Sequence, residues 1–182
     1  MAKKFPKLTK LFFFLVLAAM AKLSHCAWEN CGVTEETQLT LYFHDYSNGP
    51  NATVIPVAGI AGREWNFKQV GSVYVIDEPI TEGPERDSPT VGRCQGLFVT
   101  ASFDGLNSHV VLSIMFTNEA YNGSTLEIQG TSKQFEQTGE VSVVSGTGKF
   151  RFVRGYASFK TVFWDEVTTY AILQVDITLR HY

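Results

Sequence analysis

The sequence of 182 residues has few of the side chains that build metal and redox sites. Its three cysteines and four histidines follow no ligand spacing of the C-x-x-C, H-x-H or H-E-x-x-H kind. It also lacks the G-x-S-x-G elbow of many hydrolases. The one Gly-Lys pair, in SGTGKF (145–150), has no Ser or Thr after the lysine, as a phosphate-binding loop requires. We therefore expect neither a metal nor a cofactor.

No long hydrophobic run occurs outside the N-terminus. There, four lysines between residues 3 and 10 precede the apolar stretch LFFFLVLAAMA (11–21), which predicts a cleaved secretory signal peptide rather than a buried helix. The stretch is too short to span a bilayer. Cleavage is compatible with Ala21 and with Cys26, and we take residues 1–26 as the signal peptide and 27–182 as one domain.

Positive charge is scarce in the predicted mature chain. Removing residues 1–26 takes away five lysines and no acid, leaving 10 basic against 18 acidic side chains, a net charge of −8. This balance excludes a nucleic acid or an anionic membrane surface as a partner. Cys31 and Cys94 remain and allow at most one disulfide. Two sequons, which begin at Asn51 and Asn122 beside turn residues, predict glycosylation in a secreted protein.

After the leader the chain shows no helical period but has short runs rich in Val, Ile, Thr, Phe and Tyr between Gly, Pro and Asn clusters. This pattern predicts an all-β protein, and we favour a single antiparallel barrel over a sandwich. Residues 77–92, with three prolines and five acids, are predicted to be irregular, as a crossover loop or part of a pocket mouth. The predicted strands cover 39–46, 52–59, 72–77, 96–103, 110–117, 124–131, 140–146, 150–163 and 169–180.

The segment LTLYFHDYSN (39–48) brings one carboxylate, Asp45, into an otherwise apolar strand. The adjacent His44 points to the opposite face of such a strand, so the two cannot act as a dyad. If Asp45 faces inward, it shares a face with Phe43 and Leu41, and the apolar wall would raise its pKa. The alternative is an aspartate that caps the turn after the strand.

Several motifs together resemble the plant dirigent protein family: FHD (43–45), DEPIT (77–81), VGR-QG (91–96), YNGSTL (121–126) and GTGKFRFVRGYA (146–157). The resemblance covers the chain from about residue 39 to the C-terminus. It implies a barrel of about eight antiparallel strands of the calycin, or allene-oxide-cyclase-like, type. It also implies secretion to the apoplast, glycosylation and self-association into dimers or trimers, with no nucleic-acid partner and no membrane after signal cleavage.

The same resemblance suggests the site. Asp45 matches the acid that the family places in its pocket, and we take it as the catalytic residue. The predicted substrate-binding residues are Phe43, Phe98, Thr100, Ile128, Gly130 and Ser132. Two charged pocket residues of lignan-forming relatives fall on Ser132 and Gly139. In their residues and spacing, the segments SVYVIDEPITEGPE and YNGSTLEIQG are more similar to the branch that includes pterocarpan synthases and proteins steering gossypol coupling than to the lignan-forming branch.

Three functions remain open from the sequence. In the first, an external laccase or peroxidase makes phenoxy radicals from monolignols or related phenols, and the barrel imposes stereoselectivity on their coupling, as in lignan biosynthesis. In the second, the protein is an enzyme in which Asp45 acts as general acid for ring closure and dehydration of an isoflavanol or quinone methide. The third is a cell-wall defence protein that only binds. We place radical coupling first.

Overall fold

The computed structural model describes residues 35–181 together with Val16. The predicted signal peptide, apart from Val16, both cleavage sites and Cys31 lie outside the described residues. Within the described part, no helix is long and apolar enough to cross a membrane. Between residues 35 and 181 the regular structure is β-sheet and one 3₁₀ turn, Gly148–Phe150.

Nine antiparallel strands form one sheet. Their bounds are β1 (Glu36–Tyr46), β2 (Val54–Ala58), β3 (Val73–Thr81), β4 (Thr90–Thr100), β5 (Asn107–Phe116), β6 (Thr125–Lys133), β7 (Thr138–Thr147), β8 (Arg154–Asp165) and β9 (Tyr170–Arg180). The strand order is β1-β9-β8-β7-β6-β5-β4-β3-β2. All nine predicted strands are present, with shifted ends.

A short pairing between β1 and β3 closes the sheet into a barrel. Tyr42 pairs with Thr81 and Phe43 with Ile80, which makes a closed barrel of eight strands, with β2 as a ninth. Strand β2 pairs with the first half of β3 and runs in the direction of β1, from which residues 47–53 separate it. The predicted eight-stranded antiparallel barrel is confirmed.

Alternation along each strand fills the barrel. On β1, Leu41 and Phe43 are buried inside, and on β3 the inward positions include Tyr74, Ile76 and Ile80. Burial of these large side chains supplies the main stabilisation. The other fully buried side chains include Ile114, Phe116, Leu126, Ile128, Phe150, Val175, Ile177 and Leu179.

The prediction of an irregular segment over 77–92 is only partly right. Strand β3 continues to Thr81 and β4 begins at Thr90, so the connection is limited to residues 82–89. Pro79 pairs with Arg93 of β4, but the β1 and β2 pairings with β3 stop on either side of it. Proline has no backbone N–H to donate. It is tolerated at position 79 because no strand pairs with β3 there on one of its two sides.

His44 lies on the outward side of β1 and is nevertheless buried. Its Nδ1 is 2.6 Å from the Tyr170 hydroxyl and its Nε2 is 2.7 Å from Thr81 Oγ1. Because Thr81 Oγ1 donates to the Gly83 carbonyl at 2.7 Å, it accepts from Nε2, and Tyr170 donates to Nδ1. Burial, which lowers the pKa of His44, favours this neutral form. The expectation that His44 and Asp45 face opposite sides is correct.

Candidate functional site

A cavity of about 260 Å³ opens at the end of the barrel where β1 and β6 finish. Its volume is just below the roughly 300–1,000 Å³ typical of small-molecule pockets. Aromatic and aliphatic side chains dominate its wall, and a few polar groups interrupt them. The lining residues are Phe43, Asp45, Val54, Phe67, Ile76, Glu78, Phe98, Ser108, Val110, Leu112, Ser132, Gln134, Phe135, Val141, Phe159 and Leu173.

Aromatic rings hold the shape of two sides of the cavity. Phe43 meets Phe159 edge to face, with ring centroids 5.9 Å apart. Phe67 stacks on Tyr74 at 4.5 Å and contacts the edge of Phe98 at 5.7 Å. These contacts lock each ring through its neighbours, so the wall is rigid and apolar, which suits a flat aromatic ligand.

Asp45 is the last inward-facing residue of β1, and its side chain lines this cavity. Burial raises the pKa of the carboxyl from its usual 3.8 to about 6. The Ser47 hydroxyl opposes this rise, because it donates to Asp45 Oδ1 at 3.0 Å and favours the anion. The result is an acid that exchanges its proton near neutral pH and is only partly shielded from solvent.

Glu78, on the neighbouring strand β3, contributes a second carboxyl to the same cavity. It is only 4% exposed, and its Oε2 has no hydrogen-bond partner in the described structure. Burial raises the pKa of Glu78 well above its usual range, and the negative charge of Asp45 adds to the effect. Two acids in one apolar site do not ionise together readily, so both effects favour the protonated form of Glu78.

Cys94 packs beside this pair. It faces Glu78 across β3 and β4 and is fully buried. Burial, with the nearby Glu78 charge second, raises the pKa of its thiol well above the usual value. The thiol is therefore a small apolar packing group rather than a nucleophile.

The structure brings four of the seven predicted residues to the cavity: Asp45, Phe43, Phe98 and Ser132. The other three lie away from the described lining. Ile128 is 1% exposed in the barrel core, and Thr100 donates its hydroxyl to the Phe67 carbonyl at 3.0 Å. Gly130 shares the inward face of β6 but has no side chain, and a Cβ there would meet Val141 at 3.4 Å.

Sequence reasoning missed Glu78 and Gln134, both of which line the cavity. For Glu78 a signal existed: period-two alternation from Tyr74 and Ile76 leads directly to an inward Glu78. The signal was lost because residues 78–81 were assigned to a loop. Gln134 follows the end of β6 in a turn, where no periodicity applies.

Ser132 and Gly139 are the positions that the sequence comparison matched to two charged pocket residues of lignan-forming relatives. Ser132 lines the cavity, and a Cβ on Gly139 would lie 3.4 Å from its hydroxyl. The described lining contains no arginine, so the charged chemistry of the cavity rests on its two carboxyls. Within residues 35–181, no group of three or more His, Cys, Asp or Glu is placed to hold a metal ion.

The cavity and its acids define a small barrel protein with a pocket lined mainly by aromatic and aliphatic side chains. The chain matches the family model described as "Dirigent-like protein" over residues 36–180. It belongs to the dirigent family, as the sequence motifs indicated.

Relatives within the family include pterocarpan synthases. The chain is 38% identical over 154 residues to pterocarpan synthase 1 of Glycyrrhiza echinata, covering 83% of this chain and 82% of that protein. It is 37% identical over 145 residues to dirigent protein 11 of Arabidopsis thaliana, covering 80% of this chain and 74% of the relative.

A solved structure of the pterocarpan synthase dirigent protein PsPTS1 is also similar. It matches with a TM-score of 0.73 and 40% identity, over 81% of this chain and 96% of that one. These relatives favour the second functional hypothesis, ring closure, over radical coupling, which we placed first.

Proposed function

We propose that the protein is a dirigent-type enzyme that directs ring closure and dehydration of a phenolic substrate, an isoflavanol or the quinone methide derived from it. The observation that carries this proposal is the pair of carboxyls, Asp45 and Glu78, inside an aromatic cavity. Buried acids are costly to retain, and two of them beside an aromatic wall are suited to proton transfer to and from a bound phenol. The similarity to pterocarpan synthases supports the same conclusion.

Asp45 is the general acid in this scheme. Its pKa of about 6 matches the requirement that a catalytic acid release its proton near the working pH. The proton goes to the hydroxyl on the reacting carbon, the C–O bond breaks and water leaves. A phenolic hydroxyl of the same substrate then forms the new C–O bond to that carbon, and its proton returns to the Asp45 carboxylate. One water is lost, and no oxidant takes part.

Glu78 plays a different part. Because deep burial favours the neutral form of its carboxyl, it offers an O–H to the substrate without placing a second charge beside Asp45. The aromatic wall fixes which face of the reacting carbon meets the phenolic oxygen. A difference of about 1.4 kcal/mol between the two faces is sufficient for tenfold stereoselectivity.

The test is turnover without an oxidase. Purified protein incubated with an isoflavanol that carries a free phenolic hydroxyl on its second ring is expected to give one enantiomer of the ring-closed product, measured by chiral chromatography. Radical coupling of a monolignol by added laccase provides the matched comparison. If the isoflavanol gives no product and the monolignol gives an enantiomeric excess only when laccase is present, the protein guides radical coupling instead.

Self-association through the barrel wall is part of the proposal. Four apolar side chains lie exposed as direct cross-strand neighbours on the outer face of β2 to β5: Ile55, Val75, Leu97 and Val111. A continuous exposed row of this kind is typical of an interaction surface. We expect the wild type to be a dimer or trimer by light scattering and Leu97→Glu to be a monomer. Val167→Glu, at a site that is 92% exposed outside the row, is the control.

Secretion to the apoplast and glycosylation are proposed with this function. Asn51 and Asn122 are both exposed in turns, where an attached glycan meets no packing obstacle. Protein secreted by plant cells should lose mass on glycosidase treatment, and the double variant Asn51→Gln, Asn122→Gln should not. An unchanged mass of the wild type would remove glycosylation from the account.

A further inference from the structure

The cavity contains a second polar position that the proposed acid chemistry does not use. Gln134 lines the cavity, and its Nε2 is buried with no hydrogen-bond partner in the described structure. A buried amide N–H without an acceptor is unfavourable, so such groups generally have a partner when the protein works. The neighbouring Ser108 hydroxyl donates to the Ser132 carbonyl at 3.3 Å, and its oxygen does not accept a hydrogen bond from Gln134 Nε2.

The backbone around Gln134 is held from both sides. Its N–H donates to the Leu106 carbonyl at 2.8 Å, which ties the β6–β7 turn to the β4–β5 turn. The next residue, Phe135, has a left-handed backbone with φ of 62° and also lines the cavity. The Lys68 ammonium lies 5.3 Å from the Phe135 ring centroid. The amide is thus presented by a fixed turn rather than by a free loop.

The barrel topology places this amide across the cavity from the acids. Strand β6 is four strands from β1 in either direction around the barrel, and both strands run the same way. Asp45 near the end of β1 and Gln134 just after β6 therefore occupy opposite walls at the same open end. The cavity has an acid wall, an apolar middle and an amide wall.

We propose that Gln134 is a specificity-determining residue that donates a hydrogen bond to an acceptor oxygen, of the aryl ether or carbonyl kind, on the part of the substrate farthest from the reacting carbon. The inference rests on the proposed function, because the Asp45 wall defines which end of the substrate reacts. It assigns the substrate class more narrowly: an aromatic molecule with a leaving hydroxyl at one end and an acceptor oxygen at the other.

Two isoflavanols that differ only at that far position, methoxy in one and hydrogen in the other, test the inference. Wild type is expected to prefer the methoxy compound by about tenfold in kcat/KM, the effect of one hydrogen bond to a buried donor. Gln134→Leu should bring the ratio to about one, with the change in KM rather than kcat. Gln134→Glu, which presents lone pairs instead of N–H, should reverse the preference.

The matched control is Gln137→Leu, the same substitution on the same turn at an exposed position outside the cavity. It should keep the wild-type ratio. A wild-type ratio retained in Gln134→Leu would overturn the inference while leaving ring closure intact. Calorimetric binding of the two ring-closed products gives the ratio of their affinities, which measures the same preference independently of catalysis. If wild type turns over neither isoflavanol, the proposed function fails, and the calorimetric ratio still decides the role of Gln134.

Discussion

Replacing Asp45 by Asn is expected to lower kcat for oxidase-free ring closure by roughly 10²–10⁴-fold, the usual contribution of a general acid. Asn keeps the size of the side chain and can still accept the hydrogen bond from Ser47, which is 3.0 Å from Asp45 Oδ1, but it carries no transferable proton. KM should change little, because the aromatic wall that binds the substrate is untouched. Steady-state kinetics at pH 5.5, with product resolved on a chiral column, measure the effect.

Glu78→Gln is the matched variant. Burial favours the neutral form of Glu78, and Gln resembles that neutral form in size and retains an N–H donor. We therefore expect a loss of less than about tenfold, far smaller than for Asp45→Asn. Equal losses in the two variants would mean that the proton passes through both acids. A larger loss in Glu78→Gln would transfer the role of general acid from Asp45 to Glu78.

Stability should depend on pH in the direction opposite to that given by a carboxylate whose pKa is lowered by folding. The pKa of Asp45 is about 6 in the folded protein against 3.8 as its usual value, so the folded state holds this proton after the unfolded state has released it. Stability from this group is complete below about pH 4 and is lost as the pH rises through about 6. A shift of roughly two pKa units corresponds to about 3 kcal/mol. Glu78 acts in the same direction and over a window that begins near its usual 4.5.

The two acid variants should therefore be more stable than wild type at pH 7.5, and the advantage should shrink toward pH 4.5. Urea unfolding of wild type, Asp45→Asn and Glu78→Gln at several pH values measures it. Asp104 and Asp165, whose pKa values are lowered by hydrogen bonds, act only at lower pH. Asp87→Asn, in the exposed β3–β4 turn, serves as the control. An advantage that is constant with pH would show that folding does not raise the pKa values of the two buried carboxyls.

Much of the barrel could be predicted because strand alternation and turn residues are local signals. The LTLYFHDY segment alone placed Asp45 and Phe43 on one face of the strand and His44 on the other, and the structure shows that the face of Asp45 and Phe43 is the inner one. The strand after Tyr74 was cut short because Pro79 is read as a strand breaker. Pro79 is tolerated in β3 because it lies between the residues of β3 that pair with β1 and those that pair with β2. This is a non-local feature that the sequence of one segment cannot reveal.

The cavity itself could be predicted only in part. The alternation of residues along a strand shows which side chains face inward, but it does not show which of them lie in the core and which line the open end of the barrel. Ile128 and Ser132 share the inward face of β6, yet Ile128 is buried in the core and Ser132 lies at the cavity. Which end of the barrel stays open depends on packing from all eight strands. Gln134 enters the site through a turn held by the Leu106 carbonyl, a contact between segments distant in sequence.

The pH dependence of kcat for oxidase-free ring closure tests the central claim most directly, since it reports the protonation state of the acid that works on bound substrate. With the uncatalysed rate subtracted, wild-type kcat should be constant below about pH 6 and fall tenfold per pH unit above it, following the pKa of Asp45. A kcat that rises with pH through this range would contradict the assignment of Asp45 as the proton donor.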